Sequence, residues 1–195
     1  MAENILSKKY KLVVIGGSAG SMEVILGILA ELKRTLTLAI VIVLHRKKNG
    51  ESLLVDLFSS RTTLVVKEAE EKERILPGHI YVAPADYHLL IEKDFTFSLD
   101  FSEKVHYSRP SIDVTFETAV DAYGESLICI LLSGANADGA LGVKKAKEAK
   151  GLTMVQNPED AEVSYMPAQA VAIAQVDLIV NGAEMGAIIN NLSDQ

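Results

Sequence analysis

The sequence has a single cysteine, Cys129, so no disulfide bond can form within the chain. Cys129 lies inside the apolar run 127–132, where strand neighbours and the lack of a turn predict a small core residue rather than a nucleophile. A chain without disulfides is typical of a reducing compartment. We therefore expect a cytoplasmic protein.

Long apolar runs and basic clusters are also missing. The longest apolar run, residues 36–44, is far too short to span a bilayer, and residues 1–9 contain no apolar signal core. Lysine and arginine number 19 against 26 aspartates and glutamates, for a formal net charge of −7. No basic cluster is interleaved with aromatic residues, so we expect no membrane insertion and no nucleic-acid partner.

Nucleotide and metal signatures are absent as well. The dinucleotide spacing G-x-G-x-x-G does not occur, and the second predicted strand ends in His45 where that motif wants an acidic residue. The P-loop sequence Gly-Lys-Ser/Thr does not occur either. No histidine, cysteine and glutamate spacing suggests a metal site. We therefore expect no cofactor and no metal.

What is present is an alternation of apolar strands and amphipathic helices. The 195 residues, 49% of them apolar, suit one domain over residues 1–195. Continuous apolar strands separated by helices predict an α/β fold, a doubly wound, mostly parallel sheet flanked by helices. Short alternating runs near residues 75–101 predict an antiparallel hairpin region. The strands are predicted at 11–15, 38–44, 127–132, 152–155 and 177–180, and the helices at 22–34, 52–60, 111–123, 139–150 and 167–174.

The segment 16–20, Gly-Gly-Ser-Ala-Gly, has the form G-x-S-x-G between a predicted strand and a predicted helix. A sharp turn there would expose the Ser18 hydroxyl at the top of the sheet, and small neighbours would allow the turn and a close substrate. The N-terminus of the following helix would offer free N–H groups to an oxyanion. Alone, the motif also fits a phosphate loop or a plain turn.

Three polar residues follow three predicted strands: Ser18, His45 and Asp138. Parallel sheets bind ligands beyond the carboxyl ends of their strands, so these side chains are expected at one edge. Serine, histidine and aspartate there are the parts of a nucleophile, its base and the residue that orients the base. Taken singly, His45 fits a capping or surface role, and Asp138 fits a helix N-cap.

The other histidines and two methionines favour structural roles. His79 follows a Pro-Gly turn, His88 opens a strand and His106 lies in a loop. Met166 and Met185 are interpreted as helix-packing residues.

Taken together, these motifs resemble the catalytic domain of the chemotaxis protein-glutamate methylesterase family. The resemblance covers residues 11–180, nearly the whole chain. The segments that carry it are VVIGGSAGS at 13–21, VLH at 43–45, residues 69–84 with LPG at 76–78 and YVAP at 81–84, RPSID at 109–113, LSG at 132–134, DGA at 138–140, Gln156, and YMP at 165–167.

The resemblance implies a serine esterase whose catalytic residues are Ser18, His45 and Asp138. Backbone N–H groups at Ala19 and Ala135 would bind the oxyanion. The implied substrate is a glutamyl methyl ester, and also a glutamine side chain, on the cytoplasmic helices of a methylated chemoreceptor. No cofactor is implied. The order Ser, His, Asp differs from the Ser, Asp, His order of ordinary α/β-hydrolases.

Three positions depart from the family pattern. Ala19 stands where a hydroxyl residue is common, and Ser108 where a histidine is common. Residues 134–138, Gly-Ala-Asn-Ala-Asp, replace the usual Gly-Met-Gly-x-Asp. These departures keep two alternatives open: a catalytically weak binding or scaffold module of a chemosensory system, and a small-molecule carboxylesterase.

Members of this family often carry an N-terminal receiver domain that blocks the active site until it is phosphorylated. Ten residues precede the first predicted strand here. From the sequence we therefore expect turnover that does not respond to a phosphodonor.

Overall fold

A computed structural model of the chain describes residues 9–46 and 51–193. The residues 1–8, 47–50 and 194–195 of the expected single domain lie outside this description. The strands in chain order are β1 (Leu12–Gly17), β2 (Ala39–Leu44), β3 (Val65–Glu68), β4 (His79–Val82), β5 (His88–Ile91), β6 (Phe97–Asp100), β7 (Leu127–Leu131), β8 (Leu152–Gln156) and β9 (Leu178–Val180). The helices are α1 (Met22–Glu31), α2 (Glu51–Ser59), α3 (Ile112–Tyr123), α4 (Ala140–Glu148), α5 (Tyr165–Ile173) and α6 (Met185–Ser193).

Seven of these strands form one parallel sheet in the order β3-β4-β2-β1-β7-β8-β9. The predicted doubly wound parallel sheet is therefore confirmed. β1 lies at its centre, where the chain order reverses from β2 on one side to β7 on the other. Such a reversal leaves a crevice at the carboxyl ends of the strands, which is where these folds bind ligands.

Side chains of the strands alternate between two cores, one on each face of the sheet. Leu12 and Val14 point to a core that contains α3, α4, α5 and the β5–β6 hairpin. Val13 and Ile15 point to a core that contains α1, α6 and Phe58 of α2. Because both faces are covered, the strands can be apolar throughout, which explains the continuous runs in the sequence.

Two regions differ in detail from the sequence prediction. β4 pairs in parallel with β2, so the antiparallel pairing near residues 75–101 comes from β5 and β6 and from a single bridge between Arg74 and Thr96. The C-terminal helix α6 was not predicted. It buries Met185, Ile189 and Leu192, a spacing of four and three residues that is typical of one helix face. The packing roles predicted for Met166 and Met185 and the core position of Cys129 are confirmed.

No helix within residues 9–46 and 51–193 is long and apolar enough to cross a membrane.

The glycines of the segment 16–20 do not all serve the turn. Gly16 and Gly17 lie within β1, and only Gly20 has a left-handed φ, of 79°. A Cβ atom at Gly16 would lie 2.3 Å from Cγ2 of Ile112, the first residue of α3. Gly16 therefore lets the N-terminus of α3 pack directly against β1.

This contact generates a prediction for stability. Gly16→Ala should lower the free energy of unfolding by about 1–3 kcal/mol, because the new methyl group overpacks the contact with Ile112. Gly27→Ala is the matched control, since Gly27 is exposed on α1 and a Cβ there meets nothing within 4 Å. It should raise stability by about 0.4–1 kcal/mol. Urea unfolding of both variants measures the two effects, and equal effects would contradict the packing role of Gly16.

Candidate active site

The three residues predicted to share a sheet edge come from three neighbouring strand ends. Gly17 pairs with Leu44, and the His45 N–H donates to the Gly17 carbonyl at 3.3 Å. Ser18 and His45 therefore follow the last paired residues of β1 and β2. Asp138 lies in the segment between β7, the other neighbour of β1, and α4.

The structure brings His45 and Asp138 into direct contact. His45 Nε2 lies 2.7 Å from Asp138 Oδ2. The Asp138 side chain is fully buried, whereas the His45 side chain is 10% exposed. Since an ionised carboxylate can only accept, Nε2 carries the hydrogen of this bond and Nδ1 is the unprotonated nitrogen of the neutral ring.

Asp138 sits at the N-terminus of α3 and accepts three further hydrogen bonds there. The donors are the Ser111 hydroxyl at 2.9 Å, the Ile112 N–H at 2.7 Å and the Asp113 N–H at 3.0 Å. Free N–H groups and the helix dipole make such a terminus a site for negative charge. Burial alone would raise the pKa of Asp138, but the hydrogen bonds from His45, Asp113 and Ile112 outweigh it and lower that pKa.

A second histidine holds the other side of this helix start. His88 is buried, and its Nδ1 accepts the Ser111 N–H at 3.1 Å. Its Nε2 lies 2.9 Å from the Glu103 carbonyl, to which it must donate. Ser111 is thus fixed at both its N–H and its hydroxyl, which supports the structural role predicted for His88.

The turn after Ser18 is fixed by Ser133, which follows β7. The Ser18 N–H donates to the Ser133 carbonyl at 2.9 Å, and the Ser133 hydroxyl donates to the Ala19 carbonyl at 2.7 Å. A Cβ at Gly20 would lie 2.6 Å from that hydroxyl. Within the described residues, no hydrogen bond engages the N–H of Ala19 or of Ala135. The N–H of Ser18 itself is occupied, so it is not a free donor.

A second buried carboxylate, Asp113, lies next to Asp138. Its Oδ1 accepts the Gly142 N–H at 2.8 Å. Its buried Oδ2 has no hydrogen-bond partner among the described residues and lies 3.5 Å from His106 Nε2. Burial raises the pKa of Asp113 to about 6, the Gly142 N–H opposes this rise, and the charge of Asp138 adds to it.

His106, Asp113 and Asp138 place one ligand atom each within 4.8 Å of one another, a spacing that a metal ion could bridge. Both oxygens of Asp138 are already engaged in four hydrogen bonds, including the one to His45. The arrangement therefore suits orientation of His45 better than metal ligation.

Four residues that fix the site were not assigned that role from the sequence. They are His88, Ser111, Ser133 and Asn136, whose side-chain oxygen accepts the Asp138 N–H at 3.2 Å. A signal existed for Ser111, because Pro-Ser-x-Asp before an apolar run is a helix N-cap pattern. The contacts of His88 and Ser133 depend on chain segments that are distant in sequence. The contact of Asn136 is local, because an asparagine side chain commonly accepts the N–H two residues along.

Asp113 generates a prediction for the pH dependence of stability. Its pKa is about 6 in the folded chain against an ordinary value of 3.8, so the folded state keeps a proton that the unfolded chain has lost. The contribution of Asp113 to stability is therefore full below pH 4 and falls as the pH rises to about 6. Asp113→Asn should raise the free energy of unfolding by about 1–3 kcal/mol at pH 8 and leave it almost unchanged at pH 4.

Urea unfolding of both proteins at these two pH values measures the difference. Because all other groups are shared, a stability gain that is equal at both pH values would refute the assignment.

Comparisons with known proteins show which family this chain resembles in sequence. The family model for CheB methylesterase matches residues 13–189. A Leptospira interrogans protein, provisionally named protein-glutamate methylesterase/protein-glutamine glutaminase, is 46% identical over 88% of this chain and 89% of its own length. The protein of that name from Hydrogenovibrio crunogenus is 34% identical over 88% of this chain, which spans only 46% of the relative.

A solved structure agrees with these matches. The crystal structure of the Thermotoga maritima CheB methylesterase catalytic domain superposes with a TM-score of 0.89 at 30% identity. The match covers 95% of this chain and 100% of that domain. The resemblance drawn from the motifs is therefore confirmed, and the chain belongs to the CheB methylesterase family.

Proposed function

We propose that the chain is a serine esterase that hydrolyses glutamyl methyl esters on the cytoplasmic helices of a chemoreceptor, in the cytoplasm. The observation that carries this proposal is the bond between His45 Nε2 and the buried Asp138, set beside the strand end that presents Ser18. The names of the relatives support the same activity and add glutamine side chains as a second substrate.

In this mechanism Ser18 is the nucleophile and His45 is its base. His45 Nδ1 takes the hydroxyl proton while Ser18 Oγ attacks the ester carbonyl, and a tetrahedral oxyanion forms. The carbon–oxygen bond to the methoxy group then breaks, and His45 returns the proton to the departing methanol. Water attacks the acyl-enzyme by the same route, which releases the glutamate carboxylate and restores Ser18.

Asp138 has two roles in this scheme. It fixes His45 in the form that leaves Nδ1 free, and its charge stabilises the imidazolium that forms during each proton transfer. Four hydrogen bonds hold the carboxylate, so its orientation does not depend on the substrate.

The oxyanion requires donors that are not already engaged. The backbone N–H groups of Ala19 and Ala135 meet this requirement, and both residues are exposed to solvent at the edge of the site. We assign the oxyanion site to these two groups. In comparable enzymes one such donor contributes about 3–4 kcal/mol to stabilising the transition state.

The test is methanol release from methylated chemoreceptor membranes by the purified chain. Ser18→Ala and His45→Ala should each lower the rate by about a thousandfold or more, because the two residues act as one unit. The double variant should be little worse than either single variant. Folding should survive all three substitutions, and circular dichroism is the control.

Additive losses in the double variant would contradict a shared role of nucleophile and base. Hydrolysis of a chromogenic short-chain ester without methanol release would instead favour a small-molecule esterase. Absence of both activities would favour a binding module.

A further inference from the structure

A pocket of about 400 Å³ opens beside His45, on the side of the sheet that holds β2 and β4. The pocket touches the ring that would transfer protons, so a substrate group held in it lies next to the reacting ester. Its lining contains three cationic side chains and one carboxylate, although the chain as a whole has a net charge of −7. The lining residues are His45, Arg46, Asp86, Lys104, Tyr107, Ser108 and Arg109.

Two of the three cations are held by ion pairs. Arg46 Nη2 lies 2.7 Å from Glu68 Oε2, and Arg109 Nη2 lies 2.9 Å from Asp86 Oδ1. Lys104 is exposed, and it forms no ion pair with any residue in the part of the chain that the structure describes. Lys104 therefore supplies positive charge that the described chain does not neutralise.

The rim of this pocket is held in a conformation that costs free energy. His106 and Tyr107 both have left-handed φ values, 48° and 62°, in a turn closed by two hydrogen bonds between Val105 and Ser108. Side chains with a Cβ adopt this region at a cost. The Tyr107 residue is 97% exposed, so its ring gains no packing within the described chain. Such a conformation persists only where the surrounding structure holds it, and here it places the Tyr107 ring at the rim of the pocket.

The opposite side of the Ser18 turn carries the opposite charge. A second pocket, of about 330 Å³, follows β8, and its described lining includes Glu23, Asp160 and Glu162 but no lysine or arginine. A carboxylate bound there would meet three acidic side chains. Of the two pockets on either side of the Ser18 turn, the one beside His45 therefore suits an acidic group better.

We propose that the pocket beside His45, with Lys104 as its unpaired cation and Tyr107 at its rim, binds a carboxylate side chain of the protein substrate next to the ester that reacts. This inference rests on the proposed function for the identity of the ester. It adds a chemical selection that Ser18, His45 and Asp138 cannot make, because none of them distinguishes one neighbour of the ester from another.

Two peptides test the proposal through binding, without turnover. Both carry one glutamyl methyl ester in a helix, and one has glutamates a turn away on either side where the other has glutamines. Fluorescence anisotropy measures their affinity for the Ser18→Ala variant. The acidic peptide should bind about fivefold more tightly, as expected for a partly exposed charge pair, and the preference should shrink as salt is added.

Charge reversal then assigns the preference to the pocket. Adding Lys104→Glu should abolish or reverse it. Adding Lys11→Glu, the same charge change on an exposed residue at the opposite end of β1, should leave it unchanged. The proposal is overturned by equal binding of the two peptides, by no detectable binding of either, or by a preference that Lys104→Glu leaves intact.

The carboxylate pocket and the esterase activity can be tested separately. If the binding preference depends on Lys104 but the unsubstituted chain releases no methanol from either peptide, the carboxylate pocket stands and the proposed esterase function does not.

Discussion

The site depends on one interaction, the placement of the Asp138 carboxylate at the N-terminus of α3. A buried charge is tolerated only where fixed donors replace water, and the first N–H groups of a helix are such donors. Two of these N–H groups and the hydroxyl of the N-cap Ser111 hold Asp138, which leaves one strong bond for His45. That bond decides which ring nitrogen can act as a base. The ring nitrogen that we propose as the base is thus fixed by where a helix begins.

Packing elsewhere in the chain places that helix start. Gly16 has no side chain, so Ile112 lies directly against β1 and brings α3 to the centre of the sheet edge. His88 fixes the backbone of Ser111 from the hairpin side, and Ser133 fixes the turn after Ser18 from β7. Segments distant in sequence therefore hold the start of α3, where Asp138 binds, and the backbone of the turn after Ser18. Substitutions at these supporting positions should alter the site without any contact with substrate.

Much of the sheet and the three candidate site residues could be predicted from the sequence, because both are marked by short local patterns. Apolar runs identified five of the seven parallel strands, and polar residues in the segments after three of those runs pointed to Ser18, His45 and Asp138. The supporting contacts could not be predicted, since His88 and Ser111 meet only after the hairpin packs on α3. Gly16 was interpreted as part of the turn, whereas its role is set by Ile112, which is 96 residues away in sequence. Asn136, which stands where a glycine is usual in the family, appeared only as a departure until the structure showed it bonded to the Asp138 N–H.

The tautomer of the neutral His45 ring, measured by ¹⁵N-edited NMR of the histidine side chains, tests most directly whether Asp138 orients this ring. The assignment comes from loss of one ring's signals in His45→Ala. We expect a hydrogen on Nε2, shifted downfield by its short bond to Asp138, and an unprotonated Nδ1. A hydrogen on Nδ1, or a ring that averages between the two tautomers, would contradict the claim that the start of α3 orients the base through Asp138.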